Sequence, residues 1–355
     1  MNSRQRVLAA VGHRQGDRVP IGPLFSPEIL QKLQAHLGLD AAGVWEWSGN
    51  DFAYVGPAFH GEASPIRYAD PTIEVTADGC YLDIYRVPFQ VVRTEFQQYV
   101  DIAGRPPLRG ATTLAEIDAH RWPTADMWDY EFIPAALNAH ADKATECQSR
   151  GFFEISHFVR GMDEFLTDLA LDPPLACAVL DHVIDHLLDR ARRVLEAGGG
   201  RYTIFEYNDD VASQRALLVS PEMWRKYLKP RMARFCELYR GFGATVRYHC
   251  CGSVRTIVGD LIDIGVDILN PVQPLAAGMD PFELKREFGR HLTLHGGMDI
   301  QVLLPRGTPQ EVADHTRKMI DVVGKDGGFI LAGSHSIQAD TPVENVVAMF
   351  EAARS

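Results

Sequence analysis

The 355-residue chain contains no run of about 18 uninterrupted apolar residues, so it offers no candidate for a membrane-spanning helix. Lys and Arg are nowhere gathered into a run, and the net charge is -12, which argues against nucleic acid or an anionic membrane surface as partner. The six cysteines (Cys80, Cys147, Cys177, Cys236, Cys250, Cys251) lack the regular spacing of a disulfide framework and fit a reducing compartment. Met1 to Arg18 is mixed and charged rather than basic, apolar and small, so a cytoplasmic protein is expected. There is no G-x-G-x-x-G and no G-x-x-x-x-G-K-[ST], which speaks against nucleotide chemistry and against an open doubly wound sheet.

From about residue 200 onward, short apolar runs alternate with amphipathic stretches. Tyr202-Glu206 precedes 221–242, Thr245-His249 precedes 253–264, Val266-Asn270 precedes 281–288, Leu292-His295 precedes 309–323, and Gly328-Ala332 precedes 342–353. Such a series predicts a parallel sheet. Ser220-Pro221 and Thr308-Pro309 place a capping hydroxyl before a proline at the first helical position. Earlier, Arg18-Gly22, Asp51-Val55 and Phe152-His157 read as three more strands, bringing the count to eight and predicting a single (β/α)8 TIM barrel over residues 1–355. Residues 70–130 read as an insertion on it, antiparallel over 72–75, 81–86 and 90–93, then Pro-rich.

A barrel of this kind builds its reactive face from the C-terminal ends of strands. The residues closing each apolar run are therefore the site candidates: His157; Asn208, Asp209 and Asp210; His249 and Cys251; Asn270 and Gln273; His295; and His335. Each also has a structural role open to it. His157 suits a core histidine, Asp209 and Asp210 a turn, and Asn270-Pro271 a turn pair. The strongest signal is Arg247-Tyr248-His249-Cys250-Cys251-Gly252, because alternation on a strand points His249 and Cys251 one way and Cys250 the other. In a ring of eight, His335 at the end of the eighth strand can meet them, giving three ligands and an open fourth position, the arrangement of a catalytic zinc site. Asp209 is then a fourth ligand, a partner of a ligand, or a substrate anchor.

These motifs, together with Gly265-Val266-Asp267-Ile268-Leu269-Asn270-Pro271-Val272-Gln273, His295-Gly296-Gly297-Met298-Asp299 and Ser334-His335-Ser336-Ile337-Gln338, resemble the uroporphyrinogen decarboxylase superfamily, and within it the methyltransferase-like branch. The resemblance implies a (β/α)8 barrel and one of two activities. The methyltransferases bind zinc through a His-x-Cys pair and a later cysteine, whose place His335 takes here. They move a methyl group between a thiol or small methylated substrate and a corrinoid (cobalamin) on a partner protein. On this reading the chain is a zinc-dependent methyltransferase or demethylase with metal ligands His249, Cys251 and His335. Asp209 and His335 are then candidate catalytic groups, and His157, Asn208, Asp210, Asn270, Gln273 and His295 contact substrate.

The alternative is a metal-independent decarboxylase of a carboxylated, uroporphyrinogen-like substrate, with Asp209 or Asp210 stabilising a cation and His335 donating a proton. Ile21-Phe25 lacks the arginine its carboxylate clamp requires, and Arg14 and Arg18 precede the strand. A barrel that binds a corrinoid or thiol without catalysis is a third class.

Overall fold

The computed structural model describes residues 1–59, 79–96 and 98–354. Seven parallel strands lie side by side in chain order: β1 (Phe52–Tyr54), β2 (Ala144–Arg150), β3 (Ile204–Asn208), β4 (Thr245–His249), β5 (Ile268–Val272), β6 (Thr293–Met298) and β7 (Phe329–Gly333). Helices connect them, among them Pro173–Gly198, Lys229–Gly241, Pro281–Phe288 and Pro309–Lys318. The caps read from sequence form: Ser220 accepts from Met223 N, and Thr308 and Glu311 cap one another's backbone.

The two edges of the sheet are linked through Pro20–Gly22. Leu331 N of β7 donates to Pro20 O, Gly22 N donates to Leu331 O, and Asp51 N, just before β1, donates to Ile21 O. The strand expected over 18–22 is thus reduced to one bridge, Ile21 with Leu331. Pro20 and Pro23 lack the N–H groups a longer ladder needs. Buried Asp51 anchors this segment instead. Its carboxylate accepts from Ile21 N at 2.9 Å, Arg6 Nη1 at 2.6 Å and Arg18 Nη1 at 2.8 Å.

A second expectation is corrected. Phe152–Arg160 is a helix, not a strand, and the strand of that region is β2. Periodicity misled here because the cavity-facing residues of β2, Glu146 and Gln148, are polar, while the helix starts on the apolar pair Phe152-Phe153. A short apolar run does not by itself separate a buried strand from a buried helix.

Between β1 and β2 the chain forms a three-stranded antiparallel sheet (Tyr81–Leu82, Pro88–Arg93, Gln98–Ile102) and a short pairing of Ala58–Phe59 with Trp128–Asp129. The strand expected at 72–75 lies outside the described residues. The three-stranded sheet packs on neighbouring helices, Phe89 against Phe158 and the Tyr85 hydroxyl 2.6 Å from His186 Nδ1.

The large core lies between the sheet and its helices. A separate cluster of Val7, Phe52, Ala144, Ile204, Ile268 and Ile330 gathers residues from five of the strands under the helix Ser3–Val11. Two residues further along three of these strands, the side chains turn polar: Glu146, Glu206 and Asn270. The sheet is apolar at one end and chemically equipped at the other.

Candidate functional site

A cavity of about 580 Å³ opens toward the C-terminal ends of the strands. Register sets its polar layers. Glu206 pairs with Arg247 across β3 and β4, and two residues on, Asn208 pairs with His249, which pairs in turn with Asn270 of β5. All five line the cavity.

His249 Nδ1 lies 2.6 Å from Asn270 Oδ1, so Nδ1 carries the proton and Nε2 presents its lone pair. Cys251 Sγ is 3.8 Å from that Nε2, while Cys250 is fully buried in the core behind β4. His335, on the loop after β7, completes the group. One ligand atom from each of His249, Cys251 and His335 lies within 4.8 Å of the others.

Ligand atoms around a tetrahedral zinc ion, with metal–nitrogen and metal–sulfur bonds of about 2.1 and 2.3 Å, stand roughly 3.5 Å apart. The triad needs only a small contraction to reach that spacing, and its donor set of two imidazoles and one thiolate suits zinc. The residues present fit the metal.

The loops carrying these groups are braced from neighbouring strands. Cys251 N donates to Asp210 Oδ1 at 2.7 Å. Gln273, following β5, accepts from Gly252 N at 2.9 Å and donates to Ser334 O at 3.2 Å, tying the Cys251 loop to the His335 loop. Gly252 has φ +88°, and a Cβ there would fall 2.3 Å from Ser213 O, so this turn requires glycine. Burial, then the Asp210 charge, pushes the Cys251 thiol up to about 12. The His335 imidazole is lowered by desolvation and then by neighbouring His249.

Other sequence candidates separate into those at the cavity and those away from it. Asn208 and His295 line it, and His295 stacks on Phe52 with its pKa held far below the usual range by burial. His157 does not line it. It lies on the helix Phe152–Arg160, 7% exposed, and burial lowers it to about 4, so its strand-end position is withdrawn.

Asp209 also turns away from the cavity. Its carboxylate accepts from Phe153 N at 3.1 Å, Glu154 N at 2.9 Å and the Tyr207 hydroxyl, capping the helix that begins at Phe152. Burial pushes this carboxyl up to about 7 against the pull of those three donors. These contacts give Asp209 a structural role, and it is not among the residues that line the cavity. Asp209→Ala is expected to lower stability by about 2 kcal/mol through the unpaired N–H groups. Urea unfolding of the variant checks this, and its metal content should be unchanged.

Sequence reasoning missed Glu146, Glu206 and Arg247 on the cavity floor. Arg247 bonds Glu146 at 2.7 Å and also Glu206. Counting back two residues from His249 and from Asn208 would have found Arg247 and Glu206, since the strand period holds below the mouth as well as at it.

Residues 154–355 match the family model described as uroporphyrinogen decarboxylase (URO-D). The chain is 23% identical over 203 residues to a methylated-thiol–coenzyme M methyltransferase of Methanosarcina mazei, covering 57% of this chain and 50% of that protein. It is 27% identical over 174 residues to the methylcobamide:CoM methyltransferase MtaA of Methanosarcina barkeri, covering 49% and 47% respectively. The match thus spans about half the length of these curated relatives. A solved structure titled methyltransferase from Methanosarcina mazei superposes with a TM-score of 0.68 at 20% identity, covering 100% of this chain and 98% of that one, a likeness of fold.

Proposed function

This chain belongs to the uroporphyrinogen decarboxylase family, and from that premise we propose that it is a zinc-dependent methyltransferase of the methyltransferase-like branch. It moves a methyl group between a small methylated substrate or thiol and a corrinoid carried by a partner protein. The observation that carries this reading is the meeting of His249, Cys251 and His335 at one point of the cavity mouth. The link of both sheet edges through Ile21 supports reading the architecture as a single (β/α)8 barrel, with residues 70–130 as an insertion on it.

Zinc at this triad would supply Lewis acidity to a substrate thiol, or to a heteroatom bearing the methyl group. The chain does the rest. Asn270 holds the proton on His249 Nδ1 and so keeps Nε2 available. Asp210 and Gln273 hold the two ligand loops at their separation. Phe52, Trp45 and Leu24 form apolar parts of the cavity wall.

The metal-free decarboxylase finds less support. Arg18 is spent on Asp51, and of the two carboxylates that would stabilise its cation, Asp209 caps a helix and Asp210 accepts from Cys251 N.

Protein purified without chelator should carry one zinc per chain by elemental analysis. Transfer of the methyl group from methylcobalamin to a thiol should stop on chelation and return with zinc. Full activity of metal-free protein would overturn the proposal. Asn270→Ala is expected to weaken zinc binding by about 10–100-fold, as loss of a partner that orients a ligand does. Competition against a chelator of known affinity measures it.

A further inference from the structure

The floor of the cavity, beneath the metal triad, carries a charge pattern that the family does not by itself explain. Arg247 is the one Lys or Arg in the cavity lining among the described residues. It is held between Glu146 and Glu206, both of which also line the cavity. One guanidinium faces two carboxylates, so the floor has no free positive charge and carries an excess of acceptor oxygens. Arg150, at the end of β2, lies outside the lining and pairs with Glu154 at 3.7 Å. The wall rising from this floor includes the aromatic rings of Trp45, Phe52 and Tyr54.

We infer that this floor is a head-group subsite for a small methyl donor or acceptor that bears a neutral or cationic hydrogen-bond donor, an amine or a hydroxyl, and no acid group. The inference rests on the metal-site reading above. A substrate held at His249, Cys251 and His335 must extend its other end into the cavity. An anionic end would meet surplus carboxylate in a partly dehydrated pocket, where like charge is costly and no free cation compensates. An ammonium or hydroxyl group would meet the Glu146 and Glu206 oxygens, and an ammonium would also have the aromatic faces. The volume suits a small molecule.

The test uses zinc-loaded protein and three thiols built on the same two-carbon chain: 2-aminoethanethiol, 2-mercaptoethanol and 2-mercaptoethanesulfonate. Calorimetric titration at neutral pH should give the amine and the alcohol dissociation constants at least about ten-fold lower than the sulfonate. Glu146→Gln should narrow that ratio by about three-fold or more, a change that a purely structural ion triad would not produce. If E146Q does not fold, the wild-type ratio alone decides. Equal or tighter binding of the sulfonate overturns the subsite. Repeating the titrations on zinc-free protein separates the two readings. Affinity that is indifferent to zinc removes the metal site, while a charge preference that persists without zinc still supports the floor. Failure of all three thiols to bind removes both.

Discussion

Cys251→Ala is expected to leave the protein folded, with zinc reduced to a small fraction of one equivalent and methyl transfer lowered on the order of a thousandfold or more. The thiolate is the one anionic ligand of the triad. Cys250 is adjacent in sequence, yet it is fully buried on the opposite face of the segment and reaches the core, not the cavity. Asp210 is close, but its Oδ1 is occupied by Cys251 N. Two imidazoles would remain, too few to retain zinc against dilute chelator. Elemental analysis and rates with methylcobalamin as donor measure the effect, and Cys250→Ala provides the contrast. That variant should keep its zinc and instead lose stability, by about 1 kcal/mol for a small buried side chain. A Cys251→Ala protein with full zinc and full rate would overturn the assignment.

Asp51→Ala is expected to cause the largest loss of stability of any single change considered, about 3–5 kcal/mol, because it removes one partner of a buried ion network. Asp51 is 0% exposed and binds two guanidinium groups, Arg6 and Arg18, together with Ile21 N. After the substitution both cations remain in place with no carboxylate between them. The same atoms hold the segment that joins β7 to β1, so the loss should be cooperative across the sheet. Chemical denaturation with a fluorescence readout would give the shift in midpoint, and Asp51→Asn should cost less because it retains an acceptor. Arg6 also holds Asp17 well below the usual carboxylate range. That pair's contribution is therefore present above the ordinary aspartate value of about 4 and is lost only as pH falls through the lowered one.

The second half of the chain was legible because its strands are apolar runs of five or six residues closed by polar groups, and its helices carry their own caps. β4 falls where the pattern of Thr245-His249 puts it, and Cys251, in the loop just past its end, still comes to 3.8 Å from His249 Nε2. The first half hid its strands for opposite reasons. Residues 18–22 look like a strand, but Pro20 within them and Pro23 just after limit them to a bridge, whereas β2 is a full strand whose alternate residues are Glu146 and Gln148. A barrel interior that performs chemistry must place charge on its strands, and that charge erases the apolar signal by which strands are recognised. Asp209 shows a different limit. A carboxylate at a strand end that faces the cavity and one that caps the helix following a neighbouring strand have the same sequence signature, and only the three-dimensional position of Phe153 N and Glu154 N separates them.

The amide of Gln273 joins the turn after Cys251 to the loop of His335. The two loops are 83 residues apart in sequence, from Gly252 to residue 335, and left to themselves would sample many separations. Bound through a single side chain, they keep one. An ion arriving at this mouth finds its ligands already gathered, so little chain entropy remains to be lost on capture. The affinity of the triad is thus written partly in a neutral amide that never meets the ion.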